Sequence, residues 1–597
     1  MKQFFKYFLA SGLAYIVFGL IFFFLIIGIS SVVFKGPEPV SVKQNSVLHL
    51  SFENPISETS YFQLEPTSFQ ALNVLGLNDI VRSIDYAAED NKIKGIYLEP
   101  SFMSIGLGGI EEIHDALQRF KNSEKFIVAY SEAYSQGGYY LASVADEIYV
   151  YPTGALQWSG LSSEKMFYKQ MLDKLGVEMQ IIRGSNNKFK SAVEPYFLEK
   201  MSEANREQTE KYLYSFWDHW VSEISEARGV SVADLNSFAD NMTISSPDKA
   251  VDNKLATAVK YQDEVEEVLK EKLSLSEKDK VEKIGLVDYV EYTKTRLLVK
   301  NAGVKNIAIV YANGEIVSGK GTPEMIGSET TVKHLRKVRN NDSIKAVVLR
   351  VNSPGGSALA SDVIWREIEL IKKSGKKVVV SMGDLAASGG YYISCNADRI
   401  FAQENSITGS IGVFGVVPNA KEFLNDKVGI TFDRAKTNEH ADLMSFTKPL
   451  SEEEYNVIQK EVDRIYDDFI SRVAEGRGIS KAMVDSVGQG RVWSGKDALS
   501  IKLVDEIGGI EEAVAYAAQL ANVSEPRIMD IPKKKTDPVE EILKALSKEN
   551  DQNEISALYK PGSFSGEIIQ QLKQMNSVKI QSKDKIQARL PYYITIK

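Results

Sequence analysis

Gln136-Gly-Gly-Tyr-Tyr-Leu-Ala-Ser-Val-Ala-Asp146 and Ser388-Gly-Gly-Tyr-Tyr-Ile-Ser-Cys-Asn-Ala-Asp398 are one pattern written twice. Upstream, Lys92-Ile-Lys-Gly-Ile-Tyr-Leu98 returns as Ser343-Ile-Lys-Ala-Val-Val-Leu349, and downstream Lys174-Leu-Gly-Val177 is answered by Lys427-Val-Gly-Ile430. The three pairs sit at offsets of 251, 252 and 253 residues, and chance likeness does not hold register in this way. The chain therefore reads as a duplicated domain, one copy over residues 46–290 and the other over 300–530. Residues 1–45 precede the pair and a polar extension, 531–597, follows it.

Within each copy short apolar runs alternate with amphipathic stretches. In the second, residues 307–311, 346–351 and 377–381 are rich in β-branched side chains and read as buried strands. Between the last two, Ala358–Lys373 carries apolar residues at helical spacing (Ala360, Val363, Ile364, Ile368, Ile371), and a second long helix is expected at 453–472. Strand–helix–strand alternation predicts an α/β fold of parallel strands joined by crossover helices, built twice.

Composition narrows the chemistry. The 597 residues are 44% hydrophobic and 25% charged, which fits folded domains rather than a disordered chain. Lys and Arg number 71 against 80 Asp and Glu, and a net charge of −9 argues against a nucleic-acid partner. A single cysteine, Cys395, excludes an intrachain disulfide and a multi-thiolate site. No two of the five histidines stand at the i, i+4 spacing of a helical metal site, so no metal or other cofactor is expected.

The amino terminus points to a lipid bilayer. Residues 7–34 form a run of 28 without a charge, bounded by Lys6 and Lys35. As a helix this run extends about 42 Å, enough to cross a hydrocarbon core of about 30 Å with tilt. A cleaved signal peptide has a shorter apolar region and a small-residue cleavage site, which favours an uncleaved anchor. Lys2 and Lys6 keep the short end cytoplasmic and place the body on the other side of the membrane.

Two segments of the second copy can carry chemistry. Val351-Asn-Ser-Pro-Gly-Gly-Ser357 ends a strand with Gly355 and Gly356, whose amides can face a ligand without Cβ obstruction, as an oxyanion hole requires; the bland alternative is a strand-to-helix turn. Ala386-Ala-Ser-Gly-Gly-Tyr-Tyr392 places Ser388 at a strand-to-helix junction with the Gly389 amide beside it, where the alternative is a helix N-cap. The first copy keeps Gly-Gly-Tyr-Tyr but has Gln136 in place of the serine, so Ser388 is particular to copy two. A serine nucleophile needs a base. His114 falls on a helical face and His219 among aromatics, where structural roles are expected. A lysine base must drop from about 10.4 by about three units to be useful at neutral pH, and burial can supply that. Composition and spacing alone do not single out which lysine.

Asn352-Ser-Pro-Gly-Gly356, Ser388-Gly-Gly-Tyr-Tyr392 and Thr408-Gly-Ser-Ile-Gly-Val-Phe-Gly415 resemble the Clp/crotonase superfamily, and within it the signal peptide peptidase A family in its long, duplicated form. Phe189-Lys-Ser-Ala-Val-Glu-Pro-Tyr196 is similar to the segment holding that family's general-base lysine, which maps to Lys190. Lys188 is set aside because Ser191-Ala-Val-Glu-Pro195 follows position 190 directly. Gly490-Arg-Val-Trp-Ser-Gly495 and Gly508-Gly509 fit the family's late helical region.

The resemblance implies two tandem Clp/crotonase-like domains behind one transmembrane helix, and a serine protease with a dyad split between the copies. Ser388 is then the nucleophile, Lys190 the base and Ser410 the residue orienting the amine. The oxyanion is held by Gly389 with Gly355 or Gly356. Copy two has Asp442-Leu-Met444 near the place of Lys190 and no lysine there, so each copy lacks the half it does not supply. The implied substrates are remnant signal peptides and other short hydrophobic peptides, the implied assembly a homotetramer, and the implied location the bacterial inner membrane with the body outside the cytoplasm. In the extension, residues 590–596 form a short apolar segment that reads as a substrate mimic for the cleft.

Two rival classes remain at this level. A crotonase-like acyl-CoA hydratase or isomerase uses the same paired-amide hole but carboxylate acid/base groups, and needs neither Ser388 nor Lys190. A membrane-tethered scaffold with a dead site needs no chemistry, but keeping one dyad half in each copy argues against it.

Overall fold

A computed structural model describes residue 19 and residues 40–64, 71–100, 103–300, 302–532 and 586–589. Apart from Gly19, the proposed anchor 7–34 lies outside the described residues, and among them no helix is long and apolar enough to cross a membrane. The apolar segment 590–596 also lies outside them.

Each copy builds a parallel sheet. In copy one the strand order is Lys283–Gly285, Ser46–Ser51, Ile93–Glu99, Phe126–Tyr134, Glu147–Leu156, Ala258–Val259, parallel throughout. In copy two Ile528–Ile531, Ile307–Asn313, Ala346–Ser353 and Lys377–Ala387 pair in parallel. The last strand is long enough to take two neighbours. Its first part pairs with Arg399–Ala402, and its end pairs with Ile407–Gly409, which carries Val492–Ser494 antiparallel at the edge. Such strands are buried on both faces, which is why they read as continuous apolar runs. Helix Ala358–Lys373 has the expected bounds, and the helix expected at 453–472 extends over Glu452–Arg477 between a Ser451–Glu454 capping box and Gly478. The 490–495 segment, expected in a helical region, is instead a loop and the edge strand, with a short helix, Gly495–Ser500, starting only at its end.

The repeated motif performs the same structural task in both copies. Tyr139 donates its hydroxyl proton to Leu255 O at 2.9 Å, and Tyr391 to Leu503 O at the same distance. Asp146 accepts from Ile127 N, and Asp398 from Val378 N, both at 2.8 Å. These bonds tie the helix after the glycines to the neighbouring strand and loop, so the shared residues serve the fold.

A third sheet joins the copies. Its order is Met325–Gly327, Glu315–Val317, Gly355–Ser357, Ile586–Arg589, Phe414–Asn419, Glu178–Arg183. Glu178–Arg183 comes from copy one and pairs antiparallel with Phe414–Asn419 of copy two, from Arg183 opposite Phe414 to Glu178 opposite Asn419. The chain leaving this strand continues to Lys190. A copy-one segment is thereby delivered to a copy-two surface.

Candidate active site

Ser388 sits between strand Lys377–Ala387 and helix Gly389–Ser394, with φ 55° and ψ −114°. That left-handed φ is uncommon for a serine and marks a sharp turn held by its surroundings. The hold is visible: Ser388 N donates to Gly409 O at 2.8 Å, and Tyr392 N to Ser388 O at 2.8 Å. Although Ser388 occupies the N-cap position, its hydroxyl makes no capping bond. In copy one, Ser135 does cap the equivalent helix, accepting from Gly138 N, while the Gln136 side chain binds the backbone of Ser159 and Gly160. Position 136 is thus used to fasten a loop.

The Ser388 hydroxyl faces Lys190, whose Nζ lies 2.8 Å from Ser388 Oγ, 3.0 Å from Ser410 Oγ and 3.1 Å from Ser410 O. All three residues are fully buried. The recorded partners of the amine are neutral oxygens, and burial pushes its pKa well below the ordinary lysine value. Phe414 closes one side, with Lys190 Nζ 5.9 Å from its ring centre. Lys188 is exposed and its ammonium lies over the Phe189 ring. Ser410 follows strand Ile407–Gly409, also at positive φ (52°), and donates its amide to Arg491 O.

Of the two glycines offered for the oxyanion, Gly355 N donates to Ser353 Oγ at 3.1 Å. Gly356 packs so closely on the neighbouring strand that a Cβ there would stand 2.0 Å from Ile316 O, which only glycine permits. Gly389 is the first residue of its helix, where geometry gives the amide no intrahelical acceptor.

The lysine segment is clamped to copy two by residues the sequence reading passed over. Phe189 N donates to Gln489 O at 2.9 Å. A Cβ on Gly490 would stand 2.5 Å from Lys190 Cβ, so these two backbones touch. Gln208, on helix Glu203–Arg228, is fully buried; it donates to Phe189 O (3.0 Å) and Ser191 Oγ (2.9 Å) and accepts from Val492 N (3.1 Å). Arg491 lies between the Phe189 and Trp493 rings, 4.6 and 4.5 Å from their centres. A glutamine at helical spacing carries no sequence signal for such a role. Gly490-Arg491 did stand out, but only as a match to the family's late helical region.

The other residues singled out take structural places. His114 stacks on Tyr140 at 4.2 Å. His219 bridges Glu111 and Glu404; burial alone would lower it, but those hydrogen bonds carry it up to about 10. Asp442 forms ion pairs with Lys436 and Lys448, both at 3.2 Å. Among the described residues the one group close enough to ligate a cation is Glu439, His440 and Glu453, which is exposed.

Two stretches of the chain, 119–276 and 371–524, match the model of Peptidase family S49, one in each copy, and 304–408 matches that of Clp protease. "Protease 4" of Haemophilus influenzae is 39% identical over 456 residues, covering 74% of this chain and 73% of that protein. "Protease 4" of Salmonella typhi is 36% identical, with 79% and 77% covered. "Serine protease SPPA, chloroplastic" of Arabidopsis thaliana is 35% identical, with 81% and 70% covered.

Proposed function

Since the chain belongs to peptidase family S49 and is accordingly a serine protease, we propose that Ser388 is its nucleophile and Lys190, from the other copy, the general base. The observation that carries this reading is the 2.8 Å separation of Lys190 Nζ and Ser388 Oγ in a fully buried setting without a carboxylate partner. A neutral lysine amine has two N–H groups and one lone pair. Ser410 O and Oγ stand where both N–H groups can donate, which turns the lone pair toward the Ser388 hydroxyl. Ser410 is a positioning residue in this scheme.

Lys190 takes the proton as Ser388 Oγ bonds to the carbonyl carbon of a peptide. The resulting oxyanion sits between the amides of Gly389 and Gly356, the latter preferred because the Gly355 amide is committed to Ser353 Oγ. Collapse breaks the C–N bond, and the Lys190 ammonium returns its proton to the departing amine. Water, deprotonated by Lys190, then attacks the ester and releases the acid, restoring Ser388. The hydratase reading has no support from this geometry, because a serine–lysine contact is of no use to it.

For substrates we propose remnant signal peptides and other short hydrophobic peptides, cut by an enzyme anchored through residues 7–34 in the bacterial inner membrane, with its body outside the cytoplasm and working as a homotetramer. The long uncharged segment and the resemblance to signal peptide peptidase A support this. Hydrolysis of a hydrophobic signal peptide by detergent-solubilised protein tests it. Ser388→Ala and Lys190→Ala should each lower kcat by about three orders of magnitude or more, while Lys188→Ala stays within twofold of wild type. Substantial turnover by Lys190→Ala would remove the base assignment. Labelling of wild type, but not Ser388→Ala, by a fluorophosphonate separates a protease from a scaffold.

A further inference from the structure

Strands Gly355–Ser357 and Phe414–Asn419 flank the proposed catalytic residues, and they do not pair with each other. Between them, one strand wide, lies Ile586–Arg589 from the far end of the chain. It runs antiparallel to both: Arg589, Ala588 and Gln587 stand opposite Gly355, Gly356 and Ser357, and Gln587 and Ile586 opposite Phe414 and Gly415. The slot is a gap in a sheet, and such a gap offers two rows of backbone donors and acceptors to an extended peptide. Gly355, Gly356 and Gly415 bring no side chain of their own to the slot, so along them it offers an occupant its backbone. The register also places Ala588 directly across from Gly356, the proposed oxyanion donor. A peptide about to be cut and this strand cannot be present together.

We propose that Ile586–Arg589 is the slot's resident occupant, a segment of the chain itself that competes with incoming peptides and is displaced when one binds. This rests on the reading of Ser388 and Lys190 as the catalytic pair. Fifty-three residues, 533–585, separate the strand from Pro532, a length ample to reach the slot of the same chain. A tethered occupant acts at an effective concentration in the millimolar range, so even a tail that binds at about 0.1 mM as a free peptide would fill the slot about ten to one. The apparent affinity for other peptides then falls by the same factor, because only the open fraction binds them. Proteolysis is restrained by occupancy, with no residue of the catalytic group altered.

Binding can be read without turnover by working in the Ser388→Ala background, which also prevents cleavage of the tail. A fluorescein-labelled peptide of residues 582–593 is titrated, by anisotropy, into full-length Ser388→Ala protein and into the same protein ended after residue 581. The expected result is about tenfold tighter binding to the shortened chain. The peptide carrying Gln587→Pro, at the position that has partners on both flanking strands, Ser357 and Phe414, lacks a ladder N–H and should bind neither. The same Gln587→Pro change placed in the full-length protein should open the slot as truncation does, which covers the case of a truncated chain that folds poorly. Equal affinity for full-length and opened proteins, or no binding to opened protein, overturns the proposal. Should wild type fail to hydrolyse peptides while the affinity difference persists, the catalytic reading falls and slot occupancy stands.

Discussion

An ammonium group with no carboxylate beside it is costly in a dry interior, and Lys190 is in that position. Its pKa is driven down by burial, and its neighbours Ser388 and Ser410 offer only neutral oxygens. The folded chain therefore releases a proton that the unfolded chain keeps until the ordinary lysine range. Below that range the unfolded state binds more protons, so stability rises with pH by up to about 1.4 kcal/mol per unit between the lowered folded value and the unfolded one. Lys190→Met escapes this effect. By calorimetry at neutral pH the Met variant should melt at or above wild type although inactive, with its advantage shrinking as pH approaches 10. A Met variant that melts lower by the same amount at every pH would mean the amine is not neutralised by folding. Activity should follow the same proton, with kcat/KM rising with pH as Lys190 loses its charge.

At the scale of elements, Lys190, the proposed base, is placed by a seam rather than by its own loop. Helix Glu203–Arg228 brings Gln208 against both the lysine segment and edge strand Val492–Ser494, where its three hydrogen bonds join copy one to copy two. Gln208→Leu leaves Phe189 O, Ser191 Oγ and Val492 N without that partner in a buried place, at about 1–3 kcal/mol per group. The lysine segment should shift, and displacement of a base by about 1 Å costs about a hundredfold in rate. The expected result is kcat lower by ten- to a hundredfold with KM within about twofold, since the peptide slot is built from other strands. A change in KM with kcat intact would instead place Gln208 in peptide binding. This seam marks where sequence reading stops. Strands and helices were legible because burial on both faces and helical spacing leave local periodic signals, and the Ser388 position because it differs from Gln136 in an otherwise shared motif. Lys190 was reached only through resemblance. The third sheet, Gln208 and the tail strand depend on contacts between residues far apart in the chain, up to hundreds of positions, which no local pattern encodes.

Across the whole molecule the two copies must hold a fixed orientation for the proposed dyad to form, since Lys190 comes from one and Ser388 from the other. Arg350, fully buried on a copy-two strand beside the one that leads to Ser388, donates to Glu58 (2.7 Å) and Glu112 (2.6 Å) of copy one and to Ser381 Oγ (2.8 Å). Glu58 Oε1 also accepts from Asn352, one residue before the Ser353-Pro-Gly-Gly segment, so the ion cluster reaches the proposed oxyanion donor's segment. Burial pushes the Glu112 carboxyl up to about 7 against the pull of Arg350. A buried pair of this kind adds little net stability, but losing one partner is severe, typically about 3–5 kcal/mol. Arg350→Met leaves two carboxyls facing each other in the seam. Glu112, already raised by burial, would stay protonated in the folded state at pH values where the unfolded chain has ionised it. A raised folded value gives stability that is present at low pH and lost as pH rises through it. The loss of melting temperature caused by Arg350→Met should therefore be small near pH 5 and grow toward pH 8, with activity falling in parallel as the copies loosen. A deficit independent of pH would show that Arg350 acts through packing alone and that the copies are held together by the apolar contacts of Tyr212 and Phe216 with Ala387, Ile407 and Val492.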